Sequence, residues 1–578
     1  MNAASGTPQR STIDSRPEVP ARASENRQIA RAAGLVGFYT LISRIAGLLR
    51  DSVVGYYFGT GLAADAFFVA FRIPNLLRRF VAEGAMSVAF IPVFTDYLTN
   101  RSHAEAEEAA SVLATLMAVG LAVLTVIGVV FAPFWTALFA PGFVGEAGKF
   151  ELTVTLTRWV FPYIFLVSLV ALASGILNSL RHFAAPAMSP IFLNIAMIGA
   201  AVLLCPRLAV PVQGLAYGVI IGGVLQLALQ IVPLLRHGIR IVPRWQPRHE
   251  AVRRALGLMA PMVFGAAVYQ INIMVDTVLA SVLPSGSVSY LWYADRVFEF
   301  PLGIFAVALG TAALPSFSAQ AARGAYDDLR RSLTFSMRLT NFIVLPAAVG
   351  IVTLATPITS VLFQRGAFRF DEAVLTARAL SAFAVGLWSV SMVRLVVPAF
   401  YALEDTRTPV ITAAGAFVAN CCFSFLLMGP VSSTGESAVA DAIAAITRTI
   451  SVFNLRHAGL ALSTSLAATV NLILLAAYLR RRLGPLGFIA SVPSLARSLV
   501  ASLAMVPAVR YVAGLTTWSQ SGHLIAHAAV LGAAMTTGIF IYVAAAMLLG
   551  GEEVQAVTRI LRQRLGRPAT GGVGQSSP

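Results

Sequence analysis

The stretch FRIPNLLRRFVAEG, residues 71–84, sets Arg72, Arg78, Arg79 and Glu83 inside sequence that is apolar on either side. The surrounding composition decides how it is read. The chain has 578 residues, 57% hydrophobic and 12% charged, with mean hydropathy +0.77. Soluble domains carry about 25% charged residues. Apolar runs long enough to cross a hydrocarbon core of ~30 Å at ~1.5 Å per residue recur along the chain, about fourteen in all. They fall near 30–58, 62–98, 109–139, 152–180, 186–205, 211–235, 254–283, 290–318, 334–363, 375–403, 409–430, 458–479, 490–514 and 523–549. The expected fold is therefore an all-α polytopic membrane protein, and 71–84 is a charged piece of its second span.

Loops that stay in the cytoplasm carry the excess of arginine. With the N-terminus inside, those loops are LRHGIRIVPRWQPRHEAVRR (235–254), RGAYDDLRRS (323–332), LRRRLG (479–484) and a tail with Arg559, Arg562, Arg564 and Arg567. The outer loops PSGSVS (284–289), PGFVGEAGKFE (141–151) and 431–457 are poorer in arginine, while FQRGAFRFDE (363–372) departs from the pattern. Both termini are then cytoplasmic. Residues 1–28 are polar and lack the apolar region of a signal peptide, so they read as a disordered lead-in. The formal charge of +16 is spread over membrane-edge loops and forms no compact basic face, which argues against nucleic acid as a partner.

The chain echoes itself. AFIPVF (89–94) returns as AALPSF (312–317), an interval of 223 (317 − 94), and LNSLRHFAAP (177–186) as FYALEDTRTP (400–409) at the same interval. AFRI (70–73) and ADRV (294–297) match at 224 (294 − 70). Together these predict two related six-helix bundles, 29–236 and 254–482, joined by a basic loop, 237–253. The second bundle includes an outer-side insertion, 431–457, with the composition of an amphipathic surface helix. Two further helices lie in 483–550, and 551–578 is a cytoplasmic tail. Repeated halves are typical of secondary transporters, whose sites lie between the halves.

An ionisable residue deep in a span costs about 2.5–3.5 kcal/mol on insertion scales and marks a functional site by default. The first two spans hold Arg44, Arg50, Asp51, Asp65, Arg72, Arg78, Arg79 and Glu83. On an ideal helix Asp65, Arg72, Arg79 and Glu83 fall within about 40° of one another, a single polar stripe, with Arg78 about 100° away and Pro74 a point of bending. Asp295, Arg296 and Glu299 occupy the matching repeat position and predict a second charged wall to one central cavity. The alternatives are helix-end charges snorkelling to headgroups for Arg50–Asp51 and Asp295–Arg296, and a structural ion pair for Arg79–Glu83. Several guanidinium groups in one cavity suit phosphate oxygens, since each donates in bidentate fashion.

Enzymatic motifs are missing. Lys149 is the single lysine, so no phosphate-binding loop of the G-x-x-x-x-G-K-[ST] type exists. Cys205, Cys421 and Cys422 sit in apolar spans without metal spacing. Asp276, mid-span with Gln270 and Asn272 nearby, reads either as a coupling site for a cation or proton or as a neutral carboxyl bonded between helices.

The strings SRIAGLLRDSVV (43–54), ADAFFVAFRIPNLLRRFVAEGAMSVAFIPVF (64–94), GSVSYLWYADRVFEFPLGIFAVALGTAALPSFS (286–318) and FYALEDTRTPV (400–410) resemble the MurJ/MviN family of lipid II flippases. That family lies within the multidrug/oligosaccharidyl-lipid/polysaccharide exporter superfamily. The resemblance runs from about residue 30 to about 550, leaving out both tails and the 432–456 region. It implies a cationic central cavity, with helices 13 and 14 bordering a groove for a lipid tail, in the bacterial cytoplasmic membrane. The implied substrate is undecaprenyl-pyrophosphate-linked disaccharide-pentapeptide, moved from inner to outer leaflet for peptidoglycan synthesis. Headgroup binding would fall to Arg44, Arg50, Arg72, Arg78, Arg79 and Arg296; Asp51, Asp65, Glu83, Asp295 and Glu299 would gate or brace the cavity. A sodium site seen in some members maps onto Asp276, Asn420, Ser424 and Thr464. No cofactor is expected; the drive would be a coupled sodium ion or proton, or the membrane potential. An added role beside the cell-wall synthesis machinery is compatible with the resemblance. Other exporters of the superfamily, for lipid-linked oligosaccharides or drugs, are the alternative.

Overall fold

The computed structural model describes residues 19–78, 87–432, 435–484, 488–520, 522–550 and 553. Arg79 and Glu83 lie outside the described residues, so the expected Arg79–Glu83 pair does too.

Among the described residues the regular structure is helical. The first half comprises α1 (Val19–Phe58), α2 (Leu62–Arg78), α3 (Ser87–Asn100), α4 (His103–Val130), α5 (Ala132–Phe139), α6 (Lys149–Val160), α7 (Tyr163–Ser179), α8 (Ala184–Leu203) and α9 (Gln213–Arg236). The second half comprises α10 (Glu250–Ser281), α11 (Ser287–Pro301), α12 (Val307–Ala322), α13 (Tyr326–Phe363), α14 (Phe370–Val385), α15 (Leu387–Ala402), α16 (Arg407–Leu427), α17 (Ala438–Ile450) and α18 (His457–Leu483). Two more, α19 (Phe488–Ala513) and α20 (Leu524–Leu548), follow. A short π turn, Leu302–Ala306, joins α11 to α12.

Among the described residues every expected span falls on helix. Among the described residues ten helical stretches are long and apolar enough to cross a membrane, eleven with the α14–α15 pair, which is bent by 42°. The remaining expected spans fall on α1, α2–α3 and α10, which carry intramembrane charge or run into residues that are not described. One expectation is corrected: α1 begins at Val19, inside the segment read as a disordered lead-in. Residues 19–33 hold five alanines and three arginines, strong helix formers, and Pro20 stands in the first turn, where its missing N–H costs nothing.

The internal repeat is visible as one turn used twice. Arg181 and Glu404, 223 residues apart (404 − 181), both adopt φ 58°, a left-handed conformation unusual for a residue with a side chain. In the first half the His182 N–H donates to Leu177 O at 2.8 Å; in the second the Asp405 N–H donates to Phe400 O at 2.9 Å. This is the same helix-ending hydrogen bond, closing α7 before α8 and α15 before α16.

Helices α19 and α20 pack on α13 through Leu354, Met505, Val509, Ala534 and Tyr542, with the Tyr542 hydroxyl donating to Phe342 O at 2.7 Å. The insertion forms α17, whose first turn is capped by Ser437 accepting from the Ala440 N–H, and which buries Ala440, Ile443, Ala444 and Thr447. Exposed Ile525, Ile539, Phe540 and Leu548 give α20 an apolar outer face suited to lipid.

The halves meet at an aromatic centre. Phe68 of α2 stacks on Trp292 of α11 with ring centroids 4.7 Å apart, and these residues are themselves related by the 224-residue interval (292 − 68).

Candidate functional site

Beneath that stack lies a cavity of about 500 Å³ between the halves. Arg44, Arg50, Arg72 and Arg78 enter it from the first half, and Arg296 from the second. Three acids, Asp276, Asp295 and Glu299, share its wall. The structure thus brings together five of the six arginines proposed from sequence, the sixth being Arg79.

The arginines are braced from behind. Arg50 donates through Nε and Nη2 to Asp51 Oδ1 at 3.0 and 2.7 Å, and through Nη1 to Asn194 Oδ1 at 3.2 Å. Asp51 is 1% exposed, and its other oxygen lies 3.5 Å from Arg296 Nε. A buried carboxylate between two guanidinium groups from different halves is no snorkelling helix-end charge. Asn194 of α8 is fixed in turn, its amide donating to Ser43 O at 3.1 Å. Arg296 also pairs with Glu299 at 3.3 Å.

Arg44 donates to the Glu299 carbonyl at 3.0 Å, lying where Gly303 has no side chain. A Cβ on Gly303 would stand 2.0 Å from Arg44 Nη1. Arg72 donates to Thr277 Oγ1 at 2.8 Å, and Arg78 to Asn75 Oδ1 at 3.3 Å. Neither Gly303 nor Asn194 was singled out by sequence. The signal for Asn194 was an amide in an apolar run; for Gly303 it was a glycine following Pro301 just after the charged cluster.

Asp65 corrects the single-stripe expectation. It shares a helix face with Arg72 but does not line the cavity. It is 1% exposed and accepts from the Gly286 N–H at 2.7 Å, the Ser289 N–H at 2.9 Å and Ser289 Oγ at 2.6 Å. Seven residues along α2 amount to about 10 Å, which carries Asp65 to the N-terminal end of α11, where free N–H groups favour an anion. Lys149, fully buried, pairs with Asp65 at 3.2 Å and with Glu146 at 3.0 Å and donates to Ser285 Oγ at 3.2 Å. The single lysine is thus a structural cation at the contact between halves, a role the sequence did not reveal. The same end carries Thr60 Oγ1 donating to Glu372 at 2.7 Å, and the Ala367 N–H donating to Tyr56 O at 2.8 Å.

The Asp276 quartet is only partly assembled. Asn420 donates to Asp276 Oδ1 at 2.9 Å and to Asn272 Oδ1 at 2.7 Å. Thr464 lines the cavity with Asp276, and its hydroxyl donates to Leu460 O at 3.1 Å. Ser424 instead shares a 2.7 Å hydrogen bond with Ser463. Asn420 offers Asp276 an N–H, and a serine stands turned away where an acid would supply further oxygens. Of the four side chains, Asp276 and Asn420 are hydrogen-bonded, Thr464 lines the same cavity and Ser424 is bonded elsewhere, while Asn420 Oδ1 is buried without a hydrogen-bond partner. No group of three or more His, Cys, Asp or Glu suited to a metal occurs among the described residues.

Comparison with known proteins places the chain in a family. The family model described as "Lipid II flippase MurJ" matches residues 54–531. The lipid II flippase MurJ of Burkholderia cenocepacia is 36% identical over 496 residues, covering 84% of this chain and 89% of the relative. The probable lipid II flippase MurJ of Rhizobium tropici is 34% identical over 550 residues, covering 93% and 97%. Among solved structures, a lipid II flippase MurJ in an inward closed conformation superposes with TM-score 0.70 at 24% identity, covering 92% of this chain and 100% of that one. An inward-facing multidrug resistance transporter of the MATE family gives 0.61 at 15% identity, covering 76% and 94%. The chain belongs to the MurJ family of lipid II flippases.

Proposed function

We propose that this protein carries lipid II, a polyprenyl-diphosphate-linked disaccharide-pentapeptide, from the inner to the outer leaflet of the bacterial cytoplasmic membrane by alternating access, without catalysing a covalent step. The carrying observation is the convergence of Arg44, Arg50, Arg72 and Arg78 from one half and Arg296 from the other on a single cavity of about 500 Å³. Planar guanidinium groups match phosphate oxygens, and five cations against three acids leave the cavity attractive to an anion. The MATE-type likeness extends to the fold alone, and an arginine cluster suits a drug cation poorly.

The headgroup enters the cavity while the polyprenyl chain stays in lipid, against the apolar surface of α13, α19 and α20. The diphosphate displaces intramolecular partners of the arginines, such as the Arg296–Glu299 pair and the Arg44 bond to the Glu299 carbonyl. Asp51 touches arginines of both halves, so rearrangement there couples anion binding to the relative position of the halves. No ATP-binding loop is present in the sequence, so the bias comes from the membrane potential, a coupled cation or consumption of product. Each charge moved is worth about 2.3 kcal/mol per 100 mV. With its sodium set incomplete, Asp276 is better suited to exchange a proton.

Purified protein in vesicles with lipid II in a known leaflet tests this reading. Wild type moves the headgroup across; Arg50→Ala and Arg296→Ala retain insertion and lose at least tenfold in rate. Full transport by both variants at equal protein amount overturns the cavity assignment. Transport of a cationic drug, with none of lipid II, overturns the substrate.

A further inference from the structure

Trp292 stands in the cavity wall with no role so far. Its side chain is 8% exposed, and its Nε1–H is buried without a hydrogen-bond partner. Burying an indole N–H unpaired is unfavourable, so its ring must be held there for another reason. The Arg72 guanidinium carbon lies 5.3 Å from its ring centroid, and that of Arg296 lies 4.8 Å away. Tryptophan offers the strongest aromatic face for a cation.

The repeat relates these partners. Arg72 and Arg296 are 224 residues apart (296 − 72), as are Phe68 and Trp292, which stack at an interplanar angle of 17°. Equivalent arginines from the two halves therefore gather on one indole at the pseudosymmetric centre of the molecule. They would otherwise repel. A carboxylate here would hold both guanidinium groups but cancel the charge that an incoming anion needs. An aromatic face attracts them through its quadrupole without adding a further negative charge to the cavity.

We propose that Trp292 is a positioning residue that holds Arg72 and Arg296 as one anion-binding pair across the halves, so that a diphosphate headgroup meets both at once. This rests on the cavity reading above. The pairing also explains the asymmetry of the stack: phenylalanine on one side supports the ring, and tryptophan on the other carries the cations.

The test measures binding of two probes, lipid II and undecaprenyl diphosphate, to the full-length protein in nanodiscs. Trp292→Leu is expected to weaken both about tenfold, while Trp292→Phe, which keeps a weaker aromatic face, loses less than about threefold. In an Arg296→Ala background the further loss from Trp292→Leu shrinks, because one cation of the pair is already gone. A purely structural role gives additive losses and no rescue by phenylalanine. Wild-type affinity in Trp292→Leu, or additivity with Arg296→Ala, overturns the proposal. Should wild type bind undecaprenyl diphosphate but not lipid II, with the Trp292 dependence intact, the lipid II assignment falls and the role of Trp292 stands.

Discussion

Lys149→Met should release the contact between the halves at the end bearing the 284–289 turn. Lys149 and Asp65 are 0% and 1% exposed and 3.2 Å apart, and Asp65 accepts three hydrogen bonds from Gly286 and Ser289 of the other half. Removing one partner of a buried ion pair costs about 3–5 kcal/mol, and the surviving hydrogen bonds place this case near the lower figure. Separation of the halves lets Asp65 rehydrate, so the penalty is relieved by opening. About 3 kcal/mol changes the closed-to-open ratio roughly a hundredfold, so a contact open in about 1% of molecules opens in about half. The assay is a spin-label distance between Gly61→Cys and Asp371→Cys with the native cysteines replaced. Gly61 has open space around it, and Asp371 is exposed. Lys149→Met should add a longer-distance population, and Asp65→Asn combined with Lys149→Met should remove most of it, because a neutral pair leaves no stranded charge. An unchanged distance distribution in folded Lys149→Met, or a double variant as open as the single, refutes the reasoning.

Gly303→Ala should displace Arg44, since the new Cβ would stand 2.0 Å from its Nη1. Loss of a hydrogen bond to a charged group predicts a fall in transport of about ten- to a hundredfold at normal protein level, with Arg44→Ala adding little in combination. The two repeat-related turns should differ in acid, as followed by hydrogen exchange of 180–183 and 403–406. Burial, and then His237 nearby, hold the His182 imidazole below its usual range. A depressed histidine stabilises above its unfolded value, so the first turn loosens as pH falls below about 6.5. The Thr408 N–H and hydroxyl, with Arg482, hold the Asp405 carboxyl below the usual carboxylate range. Its contribution is complete above about pH 4 and is lost only as pH falls further through the lowered value. Equal loosening of both turns at pH 5 contradicts this assignment.

Spans, repeat and arginine cluster were legible because each rests on local physics. Span length follows from rise per residue. The 223-residue interval is written in LNSLRHFAAP and FYALEDTRTP, and the left-handed turn shared by Arg181 and Glu404 is its structural counterpart. Less legible is the start of α1, where polar composition and helix propensity point in opposite directions. The position of Ser424 was not legible either: whether it turns to Asp276 or to Ser463 depends on the packing of α16 against α18, which no spacing encodes.

By itself, the sequence determined that the chain is a helical, twofold-repeated membrane protein with arginines in its spans, since apolar run lengths and the energetic cost of intramembrane charge are properties of short segments. Only the tertiary structure decided which charges act together. Asp65 and Arg72 share one helix face, yet about 10 Å of axial rise delivers one to the end of α11 and the other to the cavity. Asn194 from α8, Trp292 from α11 and Gly303 from the π turn after it brace Arg50, gather Arg72 with Arg296 and admit Arg44. Helical period sets direction around an axis; depth and partner are set by how the two halves dock.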